Sequence, residues 1–291
     1  ILTVTSDNTN SQDNLDENLA TLDVQPAQPD TLQFVSEPSD FAYAAGSTSA
    51  EVEAADAYGN AIVNGSIGSN GASGGTINSA DTVNYNDTSV KFYLNGTEEL
   101  TNVSKTLKLS TGTNSVSATI NDADTGSDLD AKVGYLTTEV VGTDSGSSAD
   151  LGSISSDLNV YPDNIALTAA STTFTADTNN TDVTVELQDD SSSALSDSDI
   201  DAIDVQYSSF NGDNNDGDAS LGHVVSSEAN EGTDSLENAS KTYTFQSFNA
   251  DTYDVTVDTL DDTGSTAGAK DTSLSITVNP GEPAGFDIQD P

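Results

Sequence analysis

The chain has 291 residues and carries 49 acidic against 6 basic side chains, a formal net charge of −43 at pH 7. Such a charge argues against nucleic acid and anionic membranes as partners, because both are themselves negative. The absence of cysteine excludes disulfides, and no run of about 18 apolar residues occurs that would cross a membrane.

Two kinds of chain have this composition. Low hydrophobicity with high net charge is typical of disorder. A folded chain with the same charge is suited to molar salt, where the Debye length is only about 3 Å and like charges barely repel. The acids here are spread along the chain and interleave with alternating apolar residues, whereas disordered acidic tails run in blocks. We therefore predict a folded, halophilic protein.

Self-similarity divides the chain into repeats. Residues 2–26 resemble residues 255–280, since each is a strand-like run, a polar loop and a second strand-like run closed by proline. Val-x-Pro steps end at Pro26, Pro162 and Pro280, and proline suits a strand end because it fixes φ and lacks a donor. We predict the last-two-strand hairpin of a preceding repeat at 1–26, sandwiches at 27–161 and 162–279, and the first strand of a following repeat at 280–291.

Short runs of alternating apolar and polar residues predict strands in both repeats. They lie at 31–35, 50–55, 61–63, 90–94, 105–109, 116–120 and 135–141, and at 165–168, 183–188, 203–207, 223–226, 242–248, 253–258 and 274–278. About seven short strands in a little over 100 residues, joined by Gly, Asp, Asn and Ser turns, are typical of a two-sheet sandwich. The fold class is therefore all-β, with tandem immunoglobulin-like β-sandwich domains. The apolar alternation predicts core positions at Phe92, Leu94, Phe245, Phe248, Val255 and Val257.

Connecting segments add three expectations. Segments 121–132 and 259–270 share Asp-Thr-Gly-Ser and a closing Ala-Lys, so we predict that each is the hairpin between the last two strands of its repeat. Segment 142–157, rich in Ser, Gly and Asp, is predicted as a surface loop. A helical pattern occurs only at 13–19 and 196–202, and neither exceeds about a turn.

Segment 50–60 ends in the turn Asp56-Ala-Tyr-Gly-Asn60. It resembles the bacterial immunoglobulin-like domains of the invasin/intimin type, in which a strand ends in Asp-x-x-Gly-Asn. The second repeat departs from that pattern, with Asp189-Asp-Ser-Ser-Ser-Ala194 in the same place. With its aspartate-rich composition, the whole chain resembles a haloarchaeal cell-surface or S-layer-type glycoprotein. The resemblance implies an extracellular array of sandwiches.

Two acidic turns are candidate cation sites, because hard cations such as Ca²⁺ take about six to eight oxygen ligands from short loops. The candidate ligands are Asp122, Asp124, Asp128 and Asp130 in one turn and Asp213, Asn215, Asp216 and Asp218 in the other. The alternative for both is an ordinary solvated acidic turn. Apart from Ca²⁺, no cofactor is expected.

Six Asn-x-Ser/Thr sequons are candidate glycosylation sites, which belong on turns and strand edges. Their acceptor residues are Asn64, Asn86, Asn95, Asn102, Asn179 and Asn238. Catalysis is not predicted, because His223 is the only histidine and the chain has neither Cys nor Arg to complete a nucleophile–base arrangement. His223 is expected to be an ordinary strand residue.

These observations leave several functions open. The first is a structural surface protein of a halophile, a rod of acidic sandwiches that coats, spaces or adheres. The second is the protomer of an extracellular filament or sheath assembled by strand addition between subunits. A calcium-dependent adhesin and a viral surface protein are further alternatives. The expected partners are copies of the chain or other surface proteins, cations, water and covalent glycans.

Overall fold

Buried and exposed side chains alternate along the strands. In a computed structural model, strand Thr88–Leu94 buries Val90, Phe92 and Leu94 and turns the residues between them outward. This period of two places one face of each strand against a core. The structure describes residues 29–62, 88–96, 98–99, 105–107, 115–122, 129–144, 151–176, 180–210, 219–221, 231–247, 250–268 and 272–282.

In the part of the chain that the structure describes, ten strands build the first sandwich. They are β1 (Pro29–Ser36), β2 (Phe41–Ala42), β3 (Thr48–Asp56), β4 (Thr88–Leu94), β5 (Glu98–Glu99), β6 (Lys105–Leu107), β7 (Ser115–Asn121), β8 (Leu129–Asp130), β9 (Gly134–Asp144) and β10 (Gly152–Tyr161). One sheet has the order β1-β3-β7-β8, and the other has the order β2-β10-β9-β4-β5 with β6 also paired to β4.

Nine further strands among the described residues build a second sandwich. They are β11 (Asn164–Ala169), β12 (Thr173–Thr175), β13 (Thr181–Gln188), β14 (Ile203–Phe210), β15 (Ala219–Leu221), β16 (Glu231–Leu236), β17 (Ser240–Ser247), β18 (Thr252–Thr259) and β19 (Thr272–Asn279). Its sheets have the orders β11-β13-β17-β15 and β12-β19-β18-β14-β16. A single 3₁₀ turn, Asp197–Asp199, lies between β13 and β14.

Both sandwiches have immunoglobulin-like topology. In each, the first long strand pairs antiparallel with the second, and the last strand pairs antiparallel with the one before it in the opposite sheet. A short strand, β2 or β12, crosses over to pair parallel with that last strand. The predicted fold class, all-β with tandem immunoglobulin-like sandwiches, is confirmed.

Large apolar side chains fill the space between the sheets. Phe92, Phe245 and Val255 are fully buried, and Leu94 and Val257 are buried as predicted. The ring of Phe245 makes edge contacts with Phe174 and Tyr253 at centroid separations of 6.0 and 5.6 Å, an arrangement that aromatic quadrupoles favour. Phe248, the sixth predicted core residue, lies outside the described residues.

The prediction of a surface loop at 142–157 is wrong for residues 142–144 and 152–157, which lie in strands, and residues 145–150 lie outside the described part of the chain. Gly142 lies in β9, and β10 begins at Gly152 and pairs antiparallel with β9 over nine residue pairs. The serines and Asp157 of β10 are mostly exposed, whereas Leu158 and Val160 are buried. The sequence looks like a loop because one face of this strand is built from Ser and Asp, and pairing to β9 makes it a strand.

The prediction that 121–132 and 259–270 are equivalent hairpins is confirmed only for the second. Segment 260–271 joins the antiparallel neighbours β18 and β19. Segment 122–133 instead leaves β7 in one sheet, forms β8 parallel to β7, and enters β9 in the other sheet. Shared turn residues fix the local bend of the chain, but they do not fix which strands the bend connects.

Proline ends strands where predicted. β10 ends at Tyr161 before Pro162, and β19 ends at Asn279 before Pro280. Segment 196–202 contains only the 3₁₀ turn, in keeping with the predicted limit of about one turn. Segments 13–19 and 223–226, the hairpin predicted at 1–26 and residues 283–291 lie outside the described residues, and the limits drawn for the repeats stay predictions.

Candidate functional site

The two sandwiches meet at a joint formed by β9, β10 and neighbouring loops of the first and by two loops of the second. At its centre the main chain of Val133 pairs with the segment around Ile200 in a parallel bridge. The Val133 N–H donates to the Asp199 carbonyl at 2.8 Å, and the Asp201 N–H donates to the Val133 carbonyl at 2.9 Å. Val133 is fully buried and Ile200 nearly so, so a strand-like contact spans the joint.

Tyr135 of β9 ties two parts of the second sandwich to the first. Its hydroxyl donates to the Leu260 carbonyl at 3.0 Å and accepts from the Asp204 N–H at 3.2 Å. Burial raises the pKa of Tyr135, and the Asp204 carboxylate raises it further against the opposing effect of the Asp204 N–H. The hydroxyl therefore stays protonated and remains a donor at neutral pH.

Two glycines let the sandwiches approach closely. A Cβ on Gly268 would lie 2.1 Å from the Tyr161 ring, and a Cβ on Gly134 would lie 2.8 Å from the Ala202 carbonyl oxygen. Both glycines have positive φ, +87° and +151°, which side-chain-bearing residues rarely adopt. Tyr161 is only 6% exposed. Burial raises its pKa, and the nearby Asp40 and Asp261 carboxylates raise that pKa further.

The connection between the sandwiches is held as well. Pro162 restricts φ directly after β10. The Asp163 carboxylate that follows accepts the backbone N–H groups of Ala44 and Ala45 at 2.8 and 2.9 Å. A carboxylate that accepts two backbone N–H groups makes strong, charge-assisted bonds. The linker is therefore bonded back onto the first sandwich.

Asn95, one of the predicted glycosylation sites, lies at the rim of the joint. Its Oδ1 accepts the Thr137 N–H at 2.8 Å, and its Nδ2 donates to the Asp201 carboxylate of the second sandwich at 2.7 Å. Its backbone φ is +49°, a region in which asparagine is enriched among residues other than glycine. The contact is exposed to solvent.

The joint is strongly acidic. Aspartates that take part in its contacts or lie close to its tyrosines are Asp40, Asp163, Asp199, Asp201, Asp204, Asp261 and Asp262. Lys132, directly before Val133, is the basic residue among the described residues that neighbour these contacts in the sequence. Like charges from both sandwiches oppose closure unless salt screens them. The contacts across the joint hold the two sandwiches in one orientation. Repulsion between the acids makes that orientation depend on ionic strength.

Three turns, which we call Asp turns, share one hydrogen-bond pattern. They span Asp56–Asn60, Asp189–Ser193 and Asp261–Ser265. In each, the first carboxylate accepts the N–H groups two and four residues later at 2.8 to 2.9 Å. The fourth residue has positive φ, +78°, +63° and +80° in turn. The Asp-x-x-Gly-Asn geometry therefore persists at Asp189, where the sequence departs from the motif.

The predicted cation ligands are only partly described. The parallel register of β7 and β8 pairs Asn121 with Asp130, which places Asp130 beside the end of β7, where Asp122 follows. Asp122 is buried and Asp130 is exposed. Asp124, Asp128, Asp213, Asn215, Asp216 and Asp218 lie outside the described residues. Within the described ranges, no group of three or more His, Cys, Asp or Glu side chains could hold a metal ion.

Of the six sequons, two have described acceptors. Asn95 is engaged at the joint, whereas Asn238 is exposed on the connection between β16 and β17. Asn64, Asn86, Asn102 and Asn179 lie outside the described residues, as does His223. In the described part of the chain, no helix has the length and apolar character needed to span a bilayer.

Sequence reasoning did not identify the residues of the joint. Val133, Tyr135 and Gly268 carry no motif, and their contacts come from residues 60 or more positions away in the chain. Tyr161 offered a signal, since it occupies the middle of the second Val-x-Pro step, where an aromatic residue next to a linker is placed to contact both neighbours.

Neither a protein-family model nor a curated protein matches the chain. Among solved structures, the adhesin InvE of Yersinia pseudotuberculosis matches 85% of this chain and 58% of its own, at 12% identity and a TM-score of 0.47. The Escherichia coli adhesin FdeC matches 88% of this chain and 67% of its own, at 15% identity and a TM-score of 0.31.

A glycosyl hydrolase family 2 member from Bacteroides cellulosilyticus matches 81% of this chain but only 23% of its own, at 18% identity and a TM-score of 0.30. Likeness of this degree concerns the sandwich fold alone. The chain spans 58% of InvE, and the adhesive or hydrolytic roles belong to those proteins.

Proposed function

We propose that this chain is part of a structural cell-surface protein of a halophile, a semi-rigid rod of acidic sandwiches that coats, spaces or adheres. The joint is the observation that carries the proposal. Main-chain pairing at Val133, the doubly bonded Tyr135 hydroxyl and the held linker at Asp163 all restrict one sandwich against the other. Separate domains on a flexible tether would need none of these contacts.

The surface chemistry supports a role in solvation and spacing. The net charge of −43 is spread over the chain, so the surface holds water and cations and opposes association in brine. We also propose that the protein is exposed outside the cell. Its proposed partners are copies of the chain or other surface proteins. Catalysis is not part of the proposal.

Rod stiffness is tested by the distance between the two sandwiches. Because the chain has no cysteine, Ser36→Cys and Ser273→Cys introduce two unique label sites, both exposed, one on each sandwich. Pulsed electron paramagnetic resonance in molar KCl is expected to show one narrow distance distribution. A broad distribution spanning many distances would show a flexible tether and contradict the proposal.

A pair of glycine variants supplies the matched control. Gly268→Ala places a methyl group into the Tyr161 ring and is expected to broaden the distribution while each sandwich stays folded. Gly264→Ala lies in the same loop with a similar positive φ, but its Cβ meets nothing within 4 Å. Gly264→Ala should leave the distance distribution unchanged. If both variants broaden the distribution equally, the cause is backbone strain at positive φ and not the contact with Tyr161.

A calcium-dependent form of this function is the second candidate, favoured by the register that brings Asp130 beside the end of β7 next to Asp122. Calorimetric titration of Ca²⁺ in about 2–3 M KCl, where screening of surface charge is nearly complete, tests it. Asp130→Asn should weaken the binding, whereas Asp30→Asn, an exposed acid on β1, should not. The absence of both heat and a melting shift would remove this candidate.

A further inference from the structure

The two described sequons are in opposite situations. The Nδ2 atom of Asn95 is 2.7 Å from an Asp201 carboxylate oxygen on the other sandwich, and its Oδ1 is bonded to the Thr137 N–H. The Oδ1 atom and one of the two Nδ2 hydrogens are therefore used within the closed joint. Asn238 instead lies exposed on a connection whose next residue, Ala239, is fixed by bonds to Asp197 and Leu187.

N-glycosylation acts on the atom that Asn95 uses at the joint. The new bond joins Nδ2 to the anomeric carbon of a lipid-phosphate-linked saccharide, while Nδ2 gives up a proton and the lipid phosphate leaves. Nδ2 has two hydrogens, and the bond to Asp201 uses one of them. A sugar ring that replaces a hydrogen of Nδ2 would crowd the Asp201 carboxylate, whose oxygen is only 2.7 Å from that nitrogen. The same addition at Asn238 projects into solvent from a fixed piece of backbone.

We propose that the Asn95 side chain, through its bonds to Thr137 and Asp201, holds the two sandwiches together, a role we call the clasp. A glycan on Asn95 and a closed joint then exclude each other. Of the two described sequons, Asn238 is the one that accepts the glycan. The sequons at Asn95 and Asn238 are equivalent as sequence motifs, but their tertiary contacts assign them different roles. The glycan part rests on the proposed extracellular function. The clasp part rests on the joint geometry alone, so the two parts fail separately.

The clasp is tested by two substitutions that both destroy the sequon. Thr97→Ala removes the hydroxyl residue that glycosylation requires and keeps the Asn95 amide. Asn95→Asp keeps the side-chain shape and tolerates positive φ, but it replaces the donor with a carboxylate facing Asp201. The readout is the KCl concentration at which the label distance between the sandwiches becomes broad, measured on unglycosylated protein.

We expect Asn95→Asp to shift this midpoint to higher KCl, because two carboxylates now face each other, and Thr97→Ala to leave it unchanged. Far-ultraviolet dichroism of both variants in molar KCl verifies that the sandwiches are folded. If Asn95→Asp and the parent chain have the same KCl midpoint, Asn95 does not hold the joint. An equal shift of the midpoint in Asn95→Asp and Thr97→Ala would also overturn the proposed role of Asn95.

The acceptor assignment is tested by glycopeptide mass spectrometry of the protein from its native source. We expect a glycan at Asn238 and an unmodified Asn95. A glycan at Asn95 in protein whose label distance stays narrow would overturn the mutual exclusion. An unmodified Asn238 would overturn its assignment as the acceptor while leaving the clasp to the midpoint measurement.

Discussion

A single carboxylate organises each Asp turn. In the turn that begins at Asp261, the Thr263 hydroxyl and the N–H groups of Thr263 and Ser265 all donate to that carboxylate. These bonds, with the Thr263 hydroxyl foremost, hold the pKa of Asp261 below its ordinary value. Asp189 has its pKa lowered for the same kind of reason, with the Ser193 N–H foremost.

Thr263→Val is expected to raise the pKa of Asp261, because it removes the largest contribution to the shift. Ser191→Ala should raise the pKa of Asp189 by less, since the backbone donor stays in place. Carboxyl chemical shifts followed by nuclear magnetic resonance against pH give both values. A group whose folded pKa is depressed contributes stability above its unfolded pKa and loses that contribution as pH falls through the folded value. An unchanged Asp261 pKa in Thr263→Val would contradict this account.

Tyr135 is the second residue with a testable role, since its hydroxyl bonds two parts of the second sandwich. Tyr135→Phe keeps the ring but leaves the Asp204 N–H and the Leu260 carbonyl without this partner. Unsatisfied groups of this kind cost about 1–3 kcal/mol, so the joint should open at higher KCl in the label-distance measurement. Tyr93→Phe, on a half-buried tyrosine of β4, is the matched control and should have little effect. If both variants behave like the parent chain, the hydroxyl does not hold the joint.

Strand β10 shows at the scale of one element how pairing overrides local composition. Its residues include three serines, an aspartate and a glycine, which favour turns. Antiparallel pairing to β9 nonetheless makes it the second strand of its sheet, and its C-terminal half buries Leu158 and Val160. Local pattern predicted the strands with apolar alternation, such as β4, β13 and β18, and missed those stabilised chiefly by their neighbours.

Leu158→Ala is expected to destabilise the first sandwich by about 2–5 kcal/mol, the usual cost of a cavity in a packed core. Ser155→Ala, on the exposed face of the same strand, should change stability by less than about 0.5 kcal/mol. Urea unfolding in molar KCl, followed by far-ultraviolet dichroism, measures both. A negligible effect of Leu158→Ala would mean that this segment is a loop, as its composition indicates.

Over the whole molecule, net charge sets the conditions for folding. At 0.1 M salt the Debye length is about 10 Å, so neighbouring acids repel, and at 1 M it is about 3 Å. The joint brings acids of both sandwiches together, whereas within each sandwich the acids are spread over the surface. We therefore expect the joint to open at a higher KCl concentration than the one at which the sandwiches unfold.

Label distance and far-ultraviolet dichroism, both followed against KCl, separate these two transitions. Sucrose supplies the control, because it strengthens burial through exclusion from the surface without screening charge. It should not close the joint in place of KCl. Coincident transitions, or a dichroism spectrum that stays coil-like or helical in near-saturated KCl, would contradict the proposed halophilic rod.

The sequence by itself determined the all-β class, the strands with regular alternation, the strand ends before Pro162 and Pro280, and the turn at Asp56. Each of these follows from residues within a few positions of one another, so that local sterics and side-chain period decide them. Only the tertiary structure decided that β10 is a strand and that 121–132 crosses between sheets. It likewise decided that Asn95 faces Asp201. Those outcomes depend on contacts between distant parts of the chain, made by Gly, Ser, Asp and Tyr residues whose local preferences are compatible with either result.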